Sequence, residues 1–436
     1  MHAQLSAPLS VTSFLSMVMA YQSVKGTRDI IPPESNAWIH LEQHVRKHME
    51  RAGYEEIRTP MFEDTSVFTR GIGEDTDIVG KEMYTFTDKG GSSLTLRPEM
   101  TAPVMRAWLQ HSLGERSMHS RLYYIGPMFR QERPQAGRYR QFHQFGFESI
   151  GLGTPECDTE VIALASDIYT DLGIPHVLKI NSVGDPESRV TYRAALQTYL
   201  RGVEEHLTAE SRRRMETNPM RVLDSKAPQD REVTMEAPHM LDFLGEETRA
   251  HFDRVLLLLD ALKVSYVIDH RLVRGLDYYS RTAFEFVSDA LGAQDALGGG
   301  GRYDGLAEQL GGRSTPAVGF AAGIERLLLV LEKQGYAVEQ HVPLAFFIGM
   351  DDVSRQWAFE QTMAFRRAGM SAACDLAGRS LKATLREANR QQARHVVLAG
   401  ESEMATQTAT VKNMGQGTQE SVAFKDLVTY FAHLIQ

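Results

Sequence analysis

The stretch RLYYIGPMFRQERPQAGRYRQFHQFGFESIG, residues 121–151, decides the fold. Two segments with strand character, 122–129 and 141–150, flank a polar loop that contains proline, glycine and the basic residues Arg133, Arg138 and Arg140. A chain that alternates strand, turn residues and strand in this way predicts a long antiparallel hairpin with an extended loop.

The second predicted strand has two different faces, because successive side chains of a strand point to opposite sides of the sheet. One face carries Phe142, Gln144, Gly146 and Glu148. The opposite face carries His143, Phe145, Phe147 and Ser149. The first face is too polar for a core and is typical of the floor of a binding site.

Arg130 and Glu132 share a face at the end of the first strand. Arginine, glutamate, glutamine and an aromatic ring on one sheet surface are able to hold a phosphate, a flat base and an amine together. The alternative is a solvated edge hairpin with scattered ion pairs, which is what most arginine-rich hairpins are. The pattern alone does not decide between the two.

Composition indicates a globular protein of several domains. The chain has 436 residues, of which 42% are hydrophobic and 24% charged, and this length predicts about three domains. A net charge of −9 argues against a protein that coats nucleic acid over its whole surface, although it leaves room for a local basic patch.

The cysteines and the N-terminus indicate a cytoplasmic protein. Cys157 and Cys374 are far apart, so the sequence predicts neither a disulfide framework nor a C-x-x-C metal site. A signal peptide carries positive charge before its apolar segment, but no Lys or Arg precedes the apolar run 14–20. Residues 1–20 are therefore predicted to be a disordered extension and not a signal peptide. No other apolar stretch is long enough to span a membrane.

The segments before the hairpin predict two helices and two strands. Apolar residues recur at helical spacing from 38 to 49, and the following EEIRTPMFE is typical of a strand interrupted at Pro60, at a sheet edge or a subunit boundary. Residues 92–106 predict a strand that runs into a helix, with Glu99 and Thr101 at the junction. The simplest local role for Glu99 is capping of that helix.

Residues 156–270 are mostly helical in pattern and densely charged, which indicates a small helical domain inserted between two halves of a sheet domain. Its apolar cluster lies at 255–259. The basic run 212–214 is open to two interpretations, a nucleic-acid contact or a solvated helix face.

The sheet pattern resumes in LVRGLDYYSRTAFEF, from residue 272. A glycine-rich loop is predicted over 297–306, and its four successive glycines indicate close approach to a ligand or a packed neighbour. It has neither the P-loop nor the dinucleotide-binding pattern. TPAVGFAAGIERLLLVLEK then predicts a strand that passes directly into a helix. Arg326 in the first turn of that helix indicates either an anion in front of it or a snorkelling side chain.

From residue 343 onward strands and helices alternate, which predicts an α/β domain of about 95 residues. Strands are predicted in LAFFIG, SAACDL, HVVLAG and ATVKNM, with helices over 357–368 and 381–393.

Several of these segments resemble the signature motifs of the class II aminoacyl-tRNA synthetases. FRQE at 129–132 with RYRQFHQ is similar to the second motif, GIERLL at 323–328 to the third, and GYEEIRTPMFE at 53–63 to the first. LVRGLDYYSRTAFEF and GGGRYDGL resemble the segments peculiar to the bacterial type of the histidyl-tRNA synthetase family. The resemblance covers residues 22–436, with Met100 as a small departure.

The resemblance implies a fold and its domains. The catalytic domain is an α+β domain built on an antiparallel sheet, in two parts, 21–180 and 266–336. A helical insertion occupies 181–265, and an α/β anticodon-binding domain occupies 342–436. Members of the class are homodimers that join through the first motif.

The resemblance also implies an ATP site. Arg130 contacts the α-phosphate, Arg326 the γ-phosphate, and Arg138 the β- and γ-phosphates. Glu132 reads the adenine amino group and Phe142 stacks on the ring. Mg²⁺ accompanies ATP, and no metal ligands are assigned.

The histidine site and the tRNA contacts follow from the same resemblance. Glu99, Thr101 and Gln144 hold the α-amino group, while Glu148 and Tyr279 bind the imidazole nitrogens beside Tyr278. Arg274 lies near the substrate carboxylate and the α-phosphate, which makes it a catalytic residue together with Arg130. The loop that contains Arg133 and Arg140 meets the acceptor end of tRNA(His).

The implied activity is ligation of L-histidine to tRNA(His) in the cytoplasm, through histidyl-adenylate and pyrophosphate. One alternative is a regulatory relative that binds histidine for a phosphoribosyltransferase, but such a protein is expected to lack the phosphate-binding arginines and the C-terminal domain. Another is a class II enzyme for proline, threonine or glycine, against which Glu148 and RGLDYY argue.

Overall fold

The computed structural model describes residues 21–73, 76, 78–135, 137–273, 275–292, 295–336 and 341–434. The chain divides into two compact units, residues 1–338 and 339–436. The predicted N-terminal extension and Arg274 lie outside the described residues.

The first unit combines strands and helices throughout its length. Its strands are β1 Glu55–Glu56, β2 Phe62–Asp64, β3 Tyr84–Thr87, β4 Ser93–Leu96, β5 Ser120–Phe129, β6 Gln141–Ile150, β7 Val177–Ser182, β8 Tyr266–Ile268, β9 Ser280–Val287, β10 Ala296–Arg302 and β11 Ala317–Gly323. Its helices are α1 Glu34–Arg51, α2 Thr65–Ile72, α3 Thr101–Gln110, α4 Leu113–Arg116, α5 Pro155–Asp171, α6 Pro186–Gly202, α7 Ala209–Thr217, α8 Met220–Leu223, α9 Pro228–Val233, α10 Glu246–Ala261, α11 Leu306–Gln309 and α12 Ile324–Lys333.

The main sheet has eight strands in the order β1-β5-β6-β11-β10-β9-β7-β8. The pairs from β5 to β7 are all antiparallel, and the two edge strands, β1 and β8, pair in parallel with β5 and β7. The predicted hairpin is confirmed, with β5 and β6 paired from Ser120↔Ile150 to Phe129↔Gln141.

The two predicted faces of β6 are also confirmed. Phe145 and Phe147 are fully buried in a core formed with α1, α5, α10 and α12. Phe142 lies on the other face, half-buried against a second cluster that includes residues of α2 and α3. The polar face therefore stays open to a ligand while the apolar face carries the packing.

The glycine-rich segment is a central strand, so the prediction of a loop over 297–306 is wrong for its first half. Glycine is required because β10 is crowded by its neighbours. A Cβ at Gly300 would lie 2.0 Å from the Gly319 carbonyl oxygen and 2.8 Å from the Phe284 ring. The sequence indicated two reasons for the glycines, a packed neighbour or a ligand. Gly300 approaches packed neighbours, and Gly298 and Gly299 also line a cavity.

The segment between β7 and β8 is helical, as the pattern indicated. α6 to α9 surround their own core, which includes Tyr192, Leu196 and Val222. α10 differs, since Phe252, Val255 and Leu259 pack into the core beneath the main sheet. The apolar cluster at 255–259 therefore belongs to the sheet domain, and the insertion range that the sequence suggested begins inside β7.

The strand interruption predicted at Pro60 is confirmed at sheet edges. β1, before Pro60, is an edge strand of the main sheet, and β2, after it, is an edge strand of a small sheet with the order β2-β4-β3. The predicted passages from β4 to α3 and from β11 to α12 are likewise present.

The second unit is an α/β domain with its own core. Its strands are β12 Ala345–Gly349, β13 Ala372–Cys374, β14 His395–Ala399, β15 Thr408–Asn413 and β16 Gln419–Ala423, and its helices are α13 Asp352–Arg367, α14 Leu381–Arg390, α15 Glu401–Thr406 and α16 Leu427–Leu434. The four predicted strands and two predicted helices are confirmed, whereas β16, α15 and α16 are additional. In the described parts of both units, no helix combines the length and apolarity needed to cross a bilayer.

Candidate active site

A cavity of about 240 Å³ opens on the polar face of the main sheet. The sequence-predicted residues that line it are Glu99, Thr101, Arg130, Glu132, Arg138, Phe142, Gln144, Tyr278, Tyr279 and Arg326. They come from the hairpin, the β4–α3 junction, the loop before β9 and the start of α12. The sheet therefore brings together segments that are distant in the sequence.

Glu99 caps the start of α3, as its local sequence predicted, and it also lines the cavity. Its carboxylate accepts hydrogen bonds from the backbone N–H groups of Thr101, at 2.7 Å, and Ala102, at 3.0 Å, at the start of α3. The same side chain lines the cavity. Burial raises the pKa of Glu99, while the two N–H donors and Arg130 favour the charged form. The cap thus fixes a carboxylate in the wall of the site.

Glu148 lies deeper than the lining residues. It is 1% exposed, and its carboxyl group accepts hydrogen bonds from Thr101 Oγ1, at 2.8 Å, and from the Tyr303 hydroxyl. Burial raises the pKa of Glu148 to about 8, against the effect of these two donors. At neutral pH the group is therefore mostly protonated and can donate a hydrogen bond.

The hairpin contributes a basic wall with an aromatic ring. Arg138 Nη1 lies 3.1 Å from Glu132 Oε2, and Arg130 Nη1 lies 3.9 Å from Glu132 Oε1. The Arg130 guanidinium sits over the Phe142 ring, 5.3 Å from its centroid, and its Nε donates to the Pro98 carbonyl oxygen. One carboxylate thus stands beside two guanidinium groups.

Arg326 adds a third cation to the same cavity. It is the third residue of α12, and its guanidinium donates to the Ala296 carbonyl oxygen on β10. Burial and the charge of Arg138 lower the pKa of Arg326, whereas Glu132, Glu285 and Asp295 act in the opposite direction. Arg138 and Arg326 thus place two positive charges on the wall of one cavity, which favours an anionic ligand there.

Three contributors were missed in the sequence. Glu325 accepts from the backbone N–H of His143 at 2.9 Å and so fixes β6 to α12, and both Tyr124 and Tyr303 close the region around Glu148. Glu325 and Tyr303 lie beside residues that were singled out, in GIER and GGGRYDG. Their position inside these two motifs was the only feature of the sequence that could have identified them.

Arg133 and Arg140, predicted at the acceptor end, lie outside the cavity lining. Arg133 is exposed. The Arg140 backbone N–H donates to the Gly26 carbonyl oxygen at 2.7 Å, and its side-chain stem packs where a Cβ of Gly26 would be. Both are on the loop beside the mouth of the cavity.

Comparison of the sequence with known protein families agrees with this arrangement of side chains. The family model described as histidyl-tRNA synthetase covers residues 26–327, and the one described as anticodon binding domain covers residues 351–434. This chain belongs to the histidyl-tRNA synthetase family.

Individual relatives agree with that assignment. The histidine–tRNA ligase of Chloroherpeton thalassium is 52% identical over 416 residues, which cover 94% of this chain and 97% of the relative. The crystal structure of apo S. aureus histidyl-tRNA synthetase matches with a TM-score of 0.81 at 39% identity, covering 94% of this chain and 99% of that one.

A third similarity concerns the regulatory alternative. A structure named as an ATP phosphoribosyltransferase regulatory subunit/histidyl-tRNA synthetase from Bacillus halodurans matches with a TM-score of 0.63 at 25% identity, covering 87% of this chain and 98% of that one. The fold alone is therefore compatible with either role.

We expect Glu148→Gln to change how stability depends on pH. The raised pKa means that the folded wild type holds a proton which the unfolded chain loses, so wild-type stability falls as pH rises from about 4.5 towards 8, by up to about 1.4 kcal/mol per pH unit from this group. The variant lacks this contribution, because glutamine does not titrate. Urea unfolding of both proteins between pH 5.5 and 8.5, at roughly half-unit intervals, measures the difference. Parallel curves would contradict the buried, protonated state.

Proposed function

We propose that the cavity binds ATP and L-histidine side by side and that the chain acts as a histidine–tRNA ligase, forming histidyl-adenylate and then histidyl-tRNA(His). The observation that supports this proposal is that one cavity has both a cationic end and an end with acidic and polar groups. Arg130, Arg138 and Arg326 form a cationic end, and Glu99, Thr101 and Gln144 form an end suited to an ammonium group. A nucleoside triphosphate and an amino acid that react with each other must bind side by side, which requires these two ends to adjoin.

The cationic end takes the triphosphate. Arg130 binds the α-phosphate, Arg326 the γ-phosphate, and Arg138 the β- and γ-phosphates. Phe142 stacks on the adenine, because its ring is exposed to the cavity on the polar face of β6. Glu132 reads the adenine amino group, for which its carboxylate must leave Arg138 or be shared with it.

The other end takes histidine. The Glu99 carboxylate, held by the α3 N–H groups, faces the ammonium together with Thr101 and Gln144. Glu148 and Tyr279, beside Tyr278, bind the imidazole. Glu148 lies behind Thr101 in the wall of the cavity, and its hydrogen bonds with Thr101 and Tyr303 fix its position. An apolar amino acid would offer no hydrogen-bond partner to the polar groups that face the imidazole, a penalty that is worth roughly 10⁴-fold in selectivity.

Activation joins two anions, so catalysis rests on positioning and on positive charge. The histidine carboxylate attacks the α-phosphorus in line, and pyrophosphate leaves. Arg130 and Arg274 stabilise the charge that develops between the carboxylate and the α-phosphate. Glu285, a carboxylate on the cavity wall beside the cationic end, would hold Mg²⁺ together with the phosphates, and the ion would offset phosphate charge.

The second step moves histidine to the terminal adenosine of tRNA(His). The loop with Arg133 and Arg140 meets the acceptor end, the helical insertion supports the acceptor stem, and the second unit binds the anticodon. We place the catalytic domain within residues 21–336, on either side of an insertion that comprises α6 to α9, and the anticodon-binding domain at 342–436. The cytoplasm is the compartment in which tRNA and ATP are available.

The regulatory alternative is less well supported. A protein that only binds histidine has no use for cations that face a triphosphate, yet Arg130, Arg138 and Arg326 converge on this cavity. It has equally little use for an anticodon-binding domain, and the chain has a match to one.

The test is exchange of labelled pyrophosphate into ATP with each of the twenty amino acids in turn. We expect exchange with histidine alone. We also expect Arg274→Ala to slow adenylate formation in a single turnover by about 100-fold or more while histidine affinity, measured by calorimetry, changes much less. Histidine binding without exchange would make the chain a regulatory relative. Equal losses of binding and chemistry in Arg274→Ala would contradict the role of Arg274.

We further propose that the chain is a homodimer that joins near Pro60. Three apolar side chains beside this residue are about half exposed, namely Met61 at 52%, Phe62 at 50% and Phe86 at 44%. Phe62 and Phe86 form one patch, with ring centroids 6.4 Å apart. The two rings come from the outer strands of the small sheet and meet on one of its faces, and clustered exposed rings are typical of a surface that another chain covers.

We expect Phe62→Asp combined with Phe86→Asp to weaken the dimer by at least about thirtyfold, because both rings lie in the apolar patch. Sedimentation velocity over a range of concentrations measures the change. Phe359→Asp is the matched control, since Phe359 is also 50% exposed but lies on α13 in the second unit. A wild-type monomer at micromolar concentration would contradict the proposal.

A further inference from the structure

A second cavity, of about 250 Å³, adjoins the candidate active site. It lies between the helical insertion and the loop before β9. Leu276 and Tyr279 line both cavities, so a single layer of side chains separates them. None of the roles assigned above uses this space.

The second cavity is rich in arginine. α6 supplies Arg189 and Arg193, and α8 supplies Arg221. Among the described lining residues Asp277 is the one carboxylate, and it packs against Gly73, where a Cβ would lie 2.4 Å from its Oδ2. Three cations and one acid leave the cavity electropositive.

Each of these guanidinium groups is held by a backbone carbonyl. Arg189 donates to the carbonyl oxygen of Tyr279 at 3.1 Å, Arg193 to that of Thr217, and Arg221 to that of Gly275. Within the described ranges, no ion pair joins any of the three to a carboxylate. A guanidinium has five N–H donors, so each keeps donors for an anion while its position is fixed.

We propose that this cavity binds phosphate groups of the unpaired 3′ strand of tRNA(His), just before the nucleotide that enters the active site. The proposal rests on the ligase function, which requires the 3′ end to reach the adenylate. A strand whose last nucleotide lies in one cavity must place its preceding phosphates in the space next to it. Three fixed guanidiniums suit a phosphodiester backbone, which carries one charge per nucleotide.

The test separates the transfer step from activation. Arg193→Glu and Arg221→Glu are combined, and Arg231→Glu, an exposed arginine on α9 outside the cavity, is the matched control. We expect histidine-dependent pyrophosphate exchange to stay within about twofold of wild type, with an unchanged KM for pyrophosphate. Aminoacylation kcat/KM should fall by about tenfold per arginine. The salt dependence of tRNA binding should lose about 0.7 in log–log slope per lost contact.

A tRNA(His) transcript without its unpaired 3′ end distinguishes the strand from the stem. Wild type and the double variant should bind this truncated RNA equally, because the contact in question is missing from it. A deficit that persists with the truncated RNA would assign the arginines to the stem and overturn the proposal. So would full activity of the double variant, an equal loss in Arg231→Glu, or an equal loss of exchange.

Arg193→Gln serves as a second variant if the double variant does not fold. Arg193 is exposed, so its replacement removes no buried group. Its expected result is a smaller loss of aminoacylation in the same direction, again with normal exchange. Absence of exchange in the wild type itself would be a failure of the ligase function and not of this cavity.

Discussion

A buried ion pair holds the catalytic unit together. Arg302 at the end of β10 and Asp158 on α5 are both 0% exposed, with Arg302 Nη2 at 2.7 Å from Asp158 Oδ1. His251 on α10 and the Thr282 hydroxyl on β9 also donate to this carboxylate. Burial would raise the pKa of Asp158, but Arg302 lowers it below its usual value. Loss of Arg302 would leave the Asp158 carboxylate buried without its guanidinium partner, at a cost of about 3–5 kcal/mol.

This constraint extends to the cavity wall around Glu99 through one residue. Tyr303 follows Arg302, and its hydroxyl donates to Glu148, which in turn accepts from Thr101 at the start of α3. A chain of hydrogen bonds therefore connects the buried pair to the β4–α3 junction where Glu99 is held. The cavity wall around Glu99 is therefore tied to a core that cannot adjust without disturbing a buried ion pair.

The sequence was most informative where a local pattern and the tertiary position agree. Alternation along β6 gave the correct faces, because one side packs on the core and the other lines the cavity. The sequence pattern was misleading at residues 298–301, where four glycines resemble a loop but form a strand. Glycine is needed there because β9 and β11 lie close on either side. Tyr303 and Glu325 were missed for a similar cause. Their roles depend on partners, Glu148 and His143, that lie more than a hundred residues away.

The arginines divide by the partner that fixes them. Arg302 is held by a carboxylate inside the core, whereas Arg130 and Arg326 donate to the carbonyl oxygens of Pro98 and Ala296 and line the cavity. Anchoring alone is not enough. Arg97 donates to the Thr59, Pro60 and Pro127 carbonyls but is 3% exposed, so its donors are consumed inside the protein. A phosphate site therefore needs a guanidinium that is anchored on one side and open on the other.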